Sequence, residues 1–346
     1  MSTSDLVVDI VARGNVLGAD HTCSPDQVDR ILGITSAENR HRRQMWRDYG
    51  LVDFFWEQGP GEENWRGTHF TVQLHRLGSA GPQVAAGPIE KEYGPLQPHL
   101  PFHALRTALA DLGIDLVELP TTNVEFREYW QPESMVSLLV TDDRLDGGVY
   151  AVTAPLRAET AARRTSDPAP GGHRIDHLLQ ATASQRQAWL NRHRSKGVDA
   201  PNWWLSLFLH IEATVNNRSD QRAEAARLYM WAVRQAHKTG TFSDAETAIR
   251  IASFSTARHV RGHSDDLAGV LPAPEAIVRA CLDALPITLD QAQTPCRPSL
   301  DDLDAIRASR QAKNLINLAA PHLDRLHGPH LAAELNAWIT AMPNLA

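Results

Sequence analysis

Cysteine is scarce in this chain of 346 residues, which contains Cys23, Cys281 and Cys296. A sparse, odd and widely spaced set is not the framework of a disulfide-stabilised secreted domain. No two cysteines have the Cys-x-x-Cys spacing, so a cysteine zinc site is not expected. Cys281 lies among apolar residues at helical spacing and is predicted to be a small core residue.

Long apolar runs are also missing. No stretch of about 18 apolar residues occurs, so we expect no membrane-spanning helix. The N-terminal stretch has no basic region and is interrupted by Asp5, Asp9 and Arg13, which is not the pattern of a secretory signal peptide. We therefore expect a cytoplasmic protein that does not bind membranes.

Familiar catalytic patterns are absent. The sequence contains no GxSxG, HExxH, GxGxxG or P-loop motif, the short signatures of common hydrolase and nucleotide sites. A triad assembled from distant residues stays open. The formal net charge is -7, and nucleic-acid binding needs clustered cations, so nucleic acid is not an expected partner.

The chain is long enough for two domains. Its content of 42% hydrophobic and 22% charged residues allows both to bury a core. The segment RAETAARRTSDPAPGG has the composition of a linker. We predict an α+β antiparallel-sheet domain at 1–157, a linker at 158–172 and an all-α helical domain at 173–346.

The N-terminal half shows the period-two alternation of strands. Apolar and polar residues alternate in VDFFWE from Val52 and in HFTVQLH from His69. Further strands are predicted at 124–130, 135–141 and 149–153, with a hairpin signal at Asp146-Gly147. A predicted helix precedes each group, the first capped by Ser24. The order indicates two diverged tandem copies of a helix-then-sheet unit, at about 22–77 and 98–155.

The C-terminal half changes to helical periodicity. Trp204, Leu207, Phe208 and Ile211 follow the spacing i, i+3, i+4, i+7 and are predicted to face a core. Capping boxes, prolines at helix starts and glycines between apolar stripes divide the remainder into about seven helices. We expect them to form a bundle.

The phrase SPDQVDRILG, followed by the strands DYGLVDFFW and THFTVQLHRL, resembles a known unit. The β-lactamase inhibitor proteins of actinomycetes and small lipoproteins of outer-membrane assembly use such a helix before an antiparallel sheet. The chain also resembles actinobacterial toxin-immunity proteins. The matching residues are Ser24, Val28, Leu32, Gly33, Arg47, Asp48, Tyr49 and Gly50. In these families the sheet face binds a protein, so the resemblance implies partner recognition.

Aromatic residues of the predicted strands are the candidate binding residues. Consecutive strand residues face opposite sides, so one of Phe54 and Phe55 is predicted to be core and the other to face a partner or another part of the chain. Aromatic residues and arginine dominate the energetics of protein interfaces. The predicted partner-binding residues are Arg47, Phe55, Trp65, Tyr129 and Trp130.

Clusters of histidine or aspartate are weaker candidates. His322 and His327 are spaced i, i+5, which separates them by about 140° on a helix, and Gly328-Pro329 breaks the helix before His330. The other groups are His259, His263, Asp265 and Asp266 in a predicted loop, Asp142, Asp143 and Asp146 at a predicted turn, and Asp301, Asp302 and Asp304 at a predicted helix start. We predict no metal site, no cofactor and no catalytic residue.

These patterns favour a non-catalytic protein that binds another protein through its N-terminal half, as an intracellular immunity or inhibitor protein that occludes a toxin or enzyme. Two alternatives stay open. One is an enzyme, or a ligand- or metal-dependent regulator, with a site between the two domains. The other is a scaffold subunit of a multi-protein assembly.

Overall fold

The structure is a computed structural model. It describes residues 2–59, 64–85, 87–121, 125–142, 147–165, 173–194, 200–217, 219–257, 260, 267, 269–294 and 298–345. None of the helices in these ranges has both the length and the apolar character that a membrane crossing requires.

An eight-stranded antiparallel sheet forms the centre of the N-terminal half. Its strand order is β1-β2-β3-β4-β8-β7-β6-β5. The strands are β1 (Ala37–His41), β2 (Gln44–Asp48), β3 (Val52–Glu57), β4 (Arg66–Val72), β5 (Val117–Leu119), β6 (Phe126–Gln131), β7 (Val136–Thr141) and β8 (Val149–Ala154). The strands predicted from the sequence are confirmed as β3, β4, β6, β7 and β8.

The sheet consists of two four-stranded meanders that meet at β4 and β8. Thr71 and Thr153 are directly opposite each other at this seam, and their hydroxyl oxygens are 3.3 Å apart. A two-fold axis between them would superpose the meanders, because each has the same strand order outward from the seam. The registers then make Arg47 the counterpart of Tyr129, since each lies two strands from the seam.

In the described part of this half, five α-helices accompany the sheet in sequence, with α2 before the first meander and α5 before the second. They are α1 (Thr3–Arg13), α2 (Pro25–Leu32), α3 (Arg76–Ser79), α4 (Pro88–Tyr93) and α5 (Phe102–Asp111). α2 begins with the predicted capping box of Ser24 and Gln27. α1 was not predicted, and it is buried along almost its whole length, so it lacks the polar stripe that marks a surface helix.

One side of the sheet, the helix-covered face, packs against these helices. Phe54, Trp56 and Phe70 on this side are nearly inaccessible to solvent and belong to one apolar core with residues of α1, α2 and α5. Asp29 of α2 also accepts a hydrogen bond from Arg47. The burial of these large side chains is the main stabilising contribution to this half.

The chain divides into two compact units, one of Met1–Ala161 with Pro298–Arg307 and one of Ala162–Arg297 with Ala308–Ala346. The sequence prediction assigned the short segment Pro298–Arg307 to the helical half. In the structure it belongs to the first unit because Arg13 donates a hydrogen bond to the Pro298 carbonyl at 2.6 Å and Leu300 packs against the apolar core. Independent folding of two domains stays a prediction.

The C-terminal half is mostly helical. Trp204, Phe208 and Ile211 are completely buried, as predicted, and Phe208 contacts the rings of Trp204, Tyr229 and Phe242. Its helices are α6 (Ala158–Thr165), α7 (His173–Gln180), α8 (Ala183–His193), α9 (Ala200–Asn217), α10 (Arg222–Lys238), α11 (Asp244–Thr256), α12 (Pro274–Asp283), α13 (Leu289–Gln293), α14 (Leu303–Ala319) and α15 (Pro329–Ala341).

One sequence prediction differs in detail from this half, and another agrees with it. The predicted linker contains α6, whose sequence AETAARRT is rich in helix-forming residues; the remainder of the linker, 166–172, lies outside the described residues. Cys281 is buried in an apolar cluster as predicted, and this burial raises the pKa of its thiol to about 12.

Candidate protein-binding face

The second side of the sheet carries aromatic side chains that remain half-buried. We call it the aromatic face and define it by Trp46, Phe55, Phe126, Trp130 and Tyr150. Directly opposite residues on antiparallel strands point to the same side. Trp46, Phe55 and His69 are opposite one another on neighbouring strands, and they therefore share one side.

A second row of directly opposite residues on neighbouring strands places Trp130 on the same side of the sheet. It is opposite Ser137, Ser137 is opposite Thr153, and Thr153 is opposite Thr71 across the seam. Thr71 and His69 are two residues apart on β4, so their side chains point the same way. The aromatic residues of the two meanders thus lie on a single face of the sheet.

Phe55 is held in place by a stacked histidine. The rings of Phe55 and His69 are 4.2 Å apart and inclined by 5°. Burial, with a smaller contribution from His21, lowers the pKa of His69, so the imidazole is neutral at neutral pH and stacks without a charge. The Phe55 side chain is ordered without being fully buried.

Tyr150 has a similar arrangement on the other meander. Its ring stacks on His75 at 4.1 Å and 7° and meets the edge of Phe126 at 5.0 Å and 70°. An irregularity in the β7–β8 register next to Leu139 places Tyr150 beside Phe126, since a bulge redirects a side chain. Two separate aromatic–histidine stacks therefore occupy this face.

Trp130 is fixed by a hydrogen bond. Its indole Nε1 donates to the Leu156 carbonyl oxygen at 2.9 Å, while the ring remains half-buried. A tryptophan with its polar atom satisfied within the chain can present its apolar ring to a partner at little cost in conformational entropy.

Polar groups lie between the aromatic side chains. Asp53 is buried and accepts hydrogen bonds from Arg76 at 2.9 Å and from Gln73 at 3.1 Å. Burial nevertheless raises the pKa of Asp53 above the ordinary carboxyl value. Arg76 also donates to Asp48 and to the Gly50 carbonyl, which fixes the turn between β2 and β3. These charged groups are paired with one another within the chain.

The structure brings together two of the five predicted binding residues, Phe55 and Trp130. Tyr129 lies on the helix-covered face, where it is buried and stacks on Phe102 at 4.3 Å. Arg47 lies on that same side and forms ion pairs with Asp29 and Glu38.

Trp65 lies just before β4, packed against the core with the guanidinium of Arg40 5.6 Å from its ring centre. This position is outside the aromatic face.

Three aromatic-face residues were missed from the sequence: Trp46, Phe126 and Tyr150. Trp46 was overlooked because QMWRD, the sequence of β2, shows no regular alternation. Its helix-covered positions are Met45 and Arg47, and an ion-paired arginine replaces the expected apolar residue. The strand prediction at 149–153 found β8 but assigned Tyr150 to neither side of the sheet, because the irregularity in register does not leave a sequence signature.

The metal-ligand candidates do not converge among the described residues. In the ranges that the structure describes, no three histidine, cysteine, aspartate or glutamate side chains are placed to hold a metal ion. His322 is buried within a 3-10 turn. Several candidates lie outside the described residues, namely His259, His263, Asp265, Asp266, Asp143 and Asp146.

Comparisons with protein-family models, with curated proteins and with solved structures found no match to this chain. The resemblance to inhibitor and immunity proteins stays a prediction from the sequence.

Proposed function

We propose that this protein is a non-catalytic, protein-binding protein of the immunity or inhibitor type, and that it binds its partner with the aromatic face. The partner would be a toxin or an enzyme encountered in the cytoplasm, and binding would occlude its functional surface. The resemblance of the first helix-then-sheet unit to inhibitor and immunity families supports the same class.

The observation that supports this proposal most directly is the immobilisation of large aromatic side chains that are not fully buried. Phe55 and Tyr150 are stacked on histidines, and Trp130 is anchored through its Nε1. Ordered aromatic side chains lose little entropy on binding and are frequent hot spots. A side chain needed only for the core would be buried as Phe54 is.

The two-meander sheet also suits an occluding binder. Two diverged copies of one unit, fused at β4 and β8, would provide a surface twice as wide as one copy. The half-buried hydroxyls of Thr71 and Thr153 at the seam add hydrogen-bonding groups between the apolar anchors. A wide face with a few polar groups among aromatic residues is typical of a protein interface.

Affinity capture from the native host tests the proposal. The bait is the full chain, compared with a Phe55→Ala/Trp130→Ala double variant and with Ile31→Ala, which alters an exposed apolar residue of α2. We expect one protein to be retained at one-to-one stoichiometry by wild type and by Ile31→Ala, and lost with the double variant. Equal retention by all three baits would reject the aromatic face as the binding surface.

A further inference from the structure

The outer strand β1 has no neighbour on one side of the sheet among the residues that the structure describes. It is the first strand in the order, and within those residues it pairs with β2 alone. All five of its residues, Ala37–His41, are exposed to solvent. Edge strands carry unpaired backbone groups that can pair with another strand, so the chemistry of this edge determines which strand it accepts.

The direction of the backbone groups follows from the neighbouring strands. The Gln58 amide donates to the Arg43 carbonyl at 2.9 Å, so the polar groups of Arg43 point towards β3. Backbone direction alternates along a strand, so those of Gln44 point towards β1, at its opposite residue His41.

The same alternation can be followed along β1. His41 and Asn39 direct their N–H and C=O groups to β2. Arg40 lies between these two residues and Glu38 precedes Asn39. Both therefore direct their backbone N–H and C=O groups away from the sheet. The free edge therefore presents the backbone groups of one acidic and one basic residue, and an added strand must form its hydrogen bonds with these two.

We infer that β1 is the contact surface for a second copy of this chain, with the two β1 strands antiparallel about Asn39. In that register Glu38 of each copy is opposite Arg40 of the other. The outward-pointing backbone groups of one β1 strand must form hydrogen bonds with those of the other. The other registers available to this edge therefore place Glu38 opposite Glu38, or Arg40 opposite Arg40. Among the residues of β1, Ala37–His41, only the register about Asn39 joins opposite charges, and it does so twice.

The side chains are arranged for this pairing. Glu38 and Arg40 lie on one side of β1, two residues apart, and Arg40 is held over the ring of Trp65. Hydrogen bonds from Arg40 and Arg47 lower the pKa of Glu38, so the carboxylate is ionised at neutral pH. Within one chain Glu38 already forms ion pairs with Arg40 and Arg47. The Arg40 side chain is 56% exposed and that of Glu38 is 32% exposed, so an added β1 strand would bring a second Glu38 and a second Arg40 into this ion-pair network.

Charge on an edge strand usually prevents association, because an arbitrary strand cannot match it. Here the alternating Glu-x-Arg sequence is its own antiparallel complement, so it disfavours other edges and accepts itself. A closed two-fold dimer is also the commonest symmetric assembly. The sheets of the two copies would join through β1, and the two aromatic faces would lie side by side.

Charge exchange combined with sedimentation equilibrium tests the inference on the full chain. We expect wild type to dimerise, and Glu38→Arg or Arg40→Glu to raise the dissociation constant roughly thirty-fold, since two attractive cross-strand pairs become repulsive. An equimolar mixture of these two variants should dimerise again, because every Arg is then opposite a Glu. Glu118→Arg, the matched change on the other edge strand β5, should have no effect.

Several results would overturn the inference. They are a wild-type chain that stays monomeric at its highest soluble concentration, a dimer that both single exchanges leave intact, and a mixture that stays monomeric. Loss of the dimer with Glu118→Arg would instead indicate pairing between β1 and β5. Thermal melting followed by circular dichroism identifies a variant that fails to fold, and the Arg40→Glu variant then provides the comparison on its own.

Discussion

Replacing Phe54 or Phe55 by alanine separates the two sides of the sheet. Phe54 is 1% exposed, and its ring lies 5.4 Å from that of Phe70, 5.9 Å from that of Trp56 and 6.0 Å from that of Tyr49. Truncating a buried phenylalanine costs about 3–5 kcal/mol, and the aromatic pairs add to this loss. We expect Phe54→Ala to lower the free energy of unfolding by about 4 kcal/mol.

Phe55→Ala should cost far less. The Phe55 side chain is half-buried, and its one ring contact recorded in the described part of the chain is the stack on His69. Partial burial and one stacked pair together contribute about 1 kcal/mol. The two adjacent substitutions should therefore differ by about 3 kcal/mol, although they remove the same atoms.

Urea denaturation followed by tryptophan fluorescence measures this difference. With a slope of about 3 kcal/mol per M for a chain of this size, the midpoint of Phe54→Ala should fall about 1 M below that of Phe55→Ala. Equal losses would show that Phe55 is as well packed as Phe54, and the aromatic face would then be part of a core. A larger loss for Phe55→Ala would show that the two sides have been assigned the wrong way round.

Three further predictions concern stability. In the helical half, Phe208→Ala should cost about 3–5 kcal/mol because the ring is completely buried; a denaturation midpoint within error of wild type would contradict this packing. Gly67→Ala should cost about 1–3 kcal/mol because a Cβ atom would lie 1.9 Å from the His21 carbonyl oxygen, whereas Gly328→Ala, with no atom nearby, should be close to neutral in the same assay. Burial raises the pKa of Asp53, so ionisation of this carboxyl lowers the free energy of unfolding as pH rises from about 4 through the raised pKa. Measured by urea unfolding, the free energy of unfolding of Asp53→Asn should therefore increase relative to that of wild type over this pH range. A relative increase seen only at lower pH would contradict the raised pKa.

The sequence predicted the central strands and missed the outer ones for one physical reason. β3 alternates because one side packs under helices, and alternation is what a half-buried strand shows. β1, with the sequence AENRH, has no buried side, so no apolar period marks it. β5 is only three residues long. Edge strands are defined by their neighbours, and neighbours are not visible in a local pattern.

The candidate site was predicted only in part, because the side of the sheet on which each aromatic residue lies also depends on neighbouring strands. The alternation of Phe54 and Phe55 was correctly read as two opposite sides, but their assignment required the register. Tyr129 and Trp130 posed the same choice, and only the stack of Tyr129 on Phe102 of α5 resolves it. Pro298 belongs to the N-terminal unit, where its carbonyl accepts a hydrogen bond from Arg13, 285 residues earlier in the chain. Sequence periodicity does not reveal such a contact.

The dissociation constant of the captured partner for single aromatic-face variants tests the central claim most directly. By isothermal titration calorimetry, we expect Trp130→Ala and Phe55→Ala each to weaken binding by about 2 kcal/mol, roughly thirty-fold, while the free energy of unfolding changes by about 1 kcal/mol or less. Ile31→Ala, an exposed apolar residue outside the aromatic face, should leave the affinity unchanged. Unchanged affinity for both aromatic variants, or a loss of affinity that only follows a loss of folding, would contradict the account.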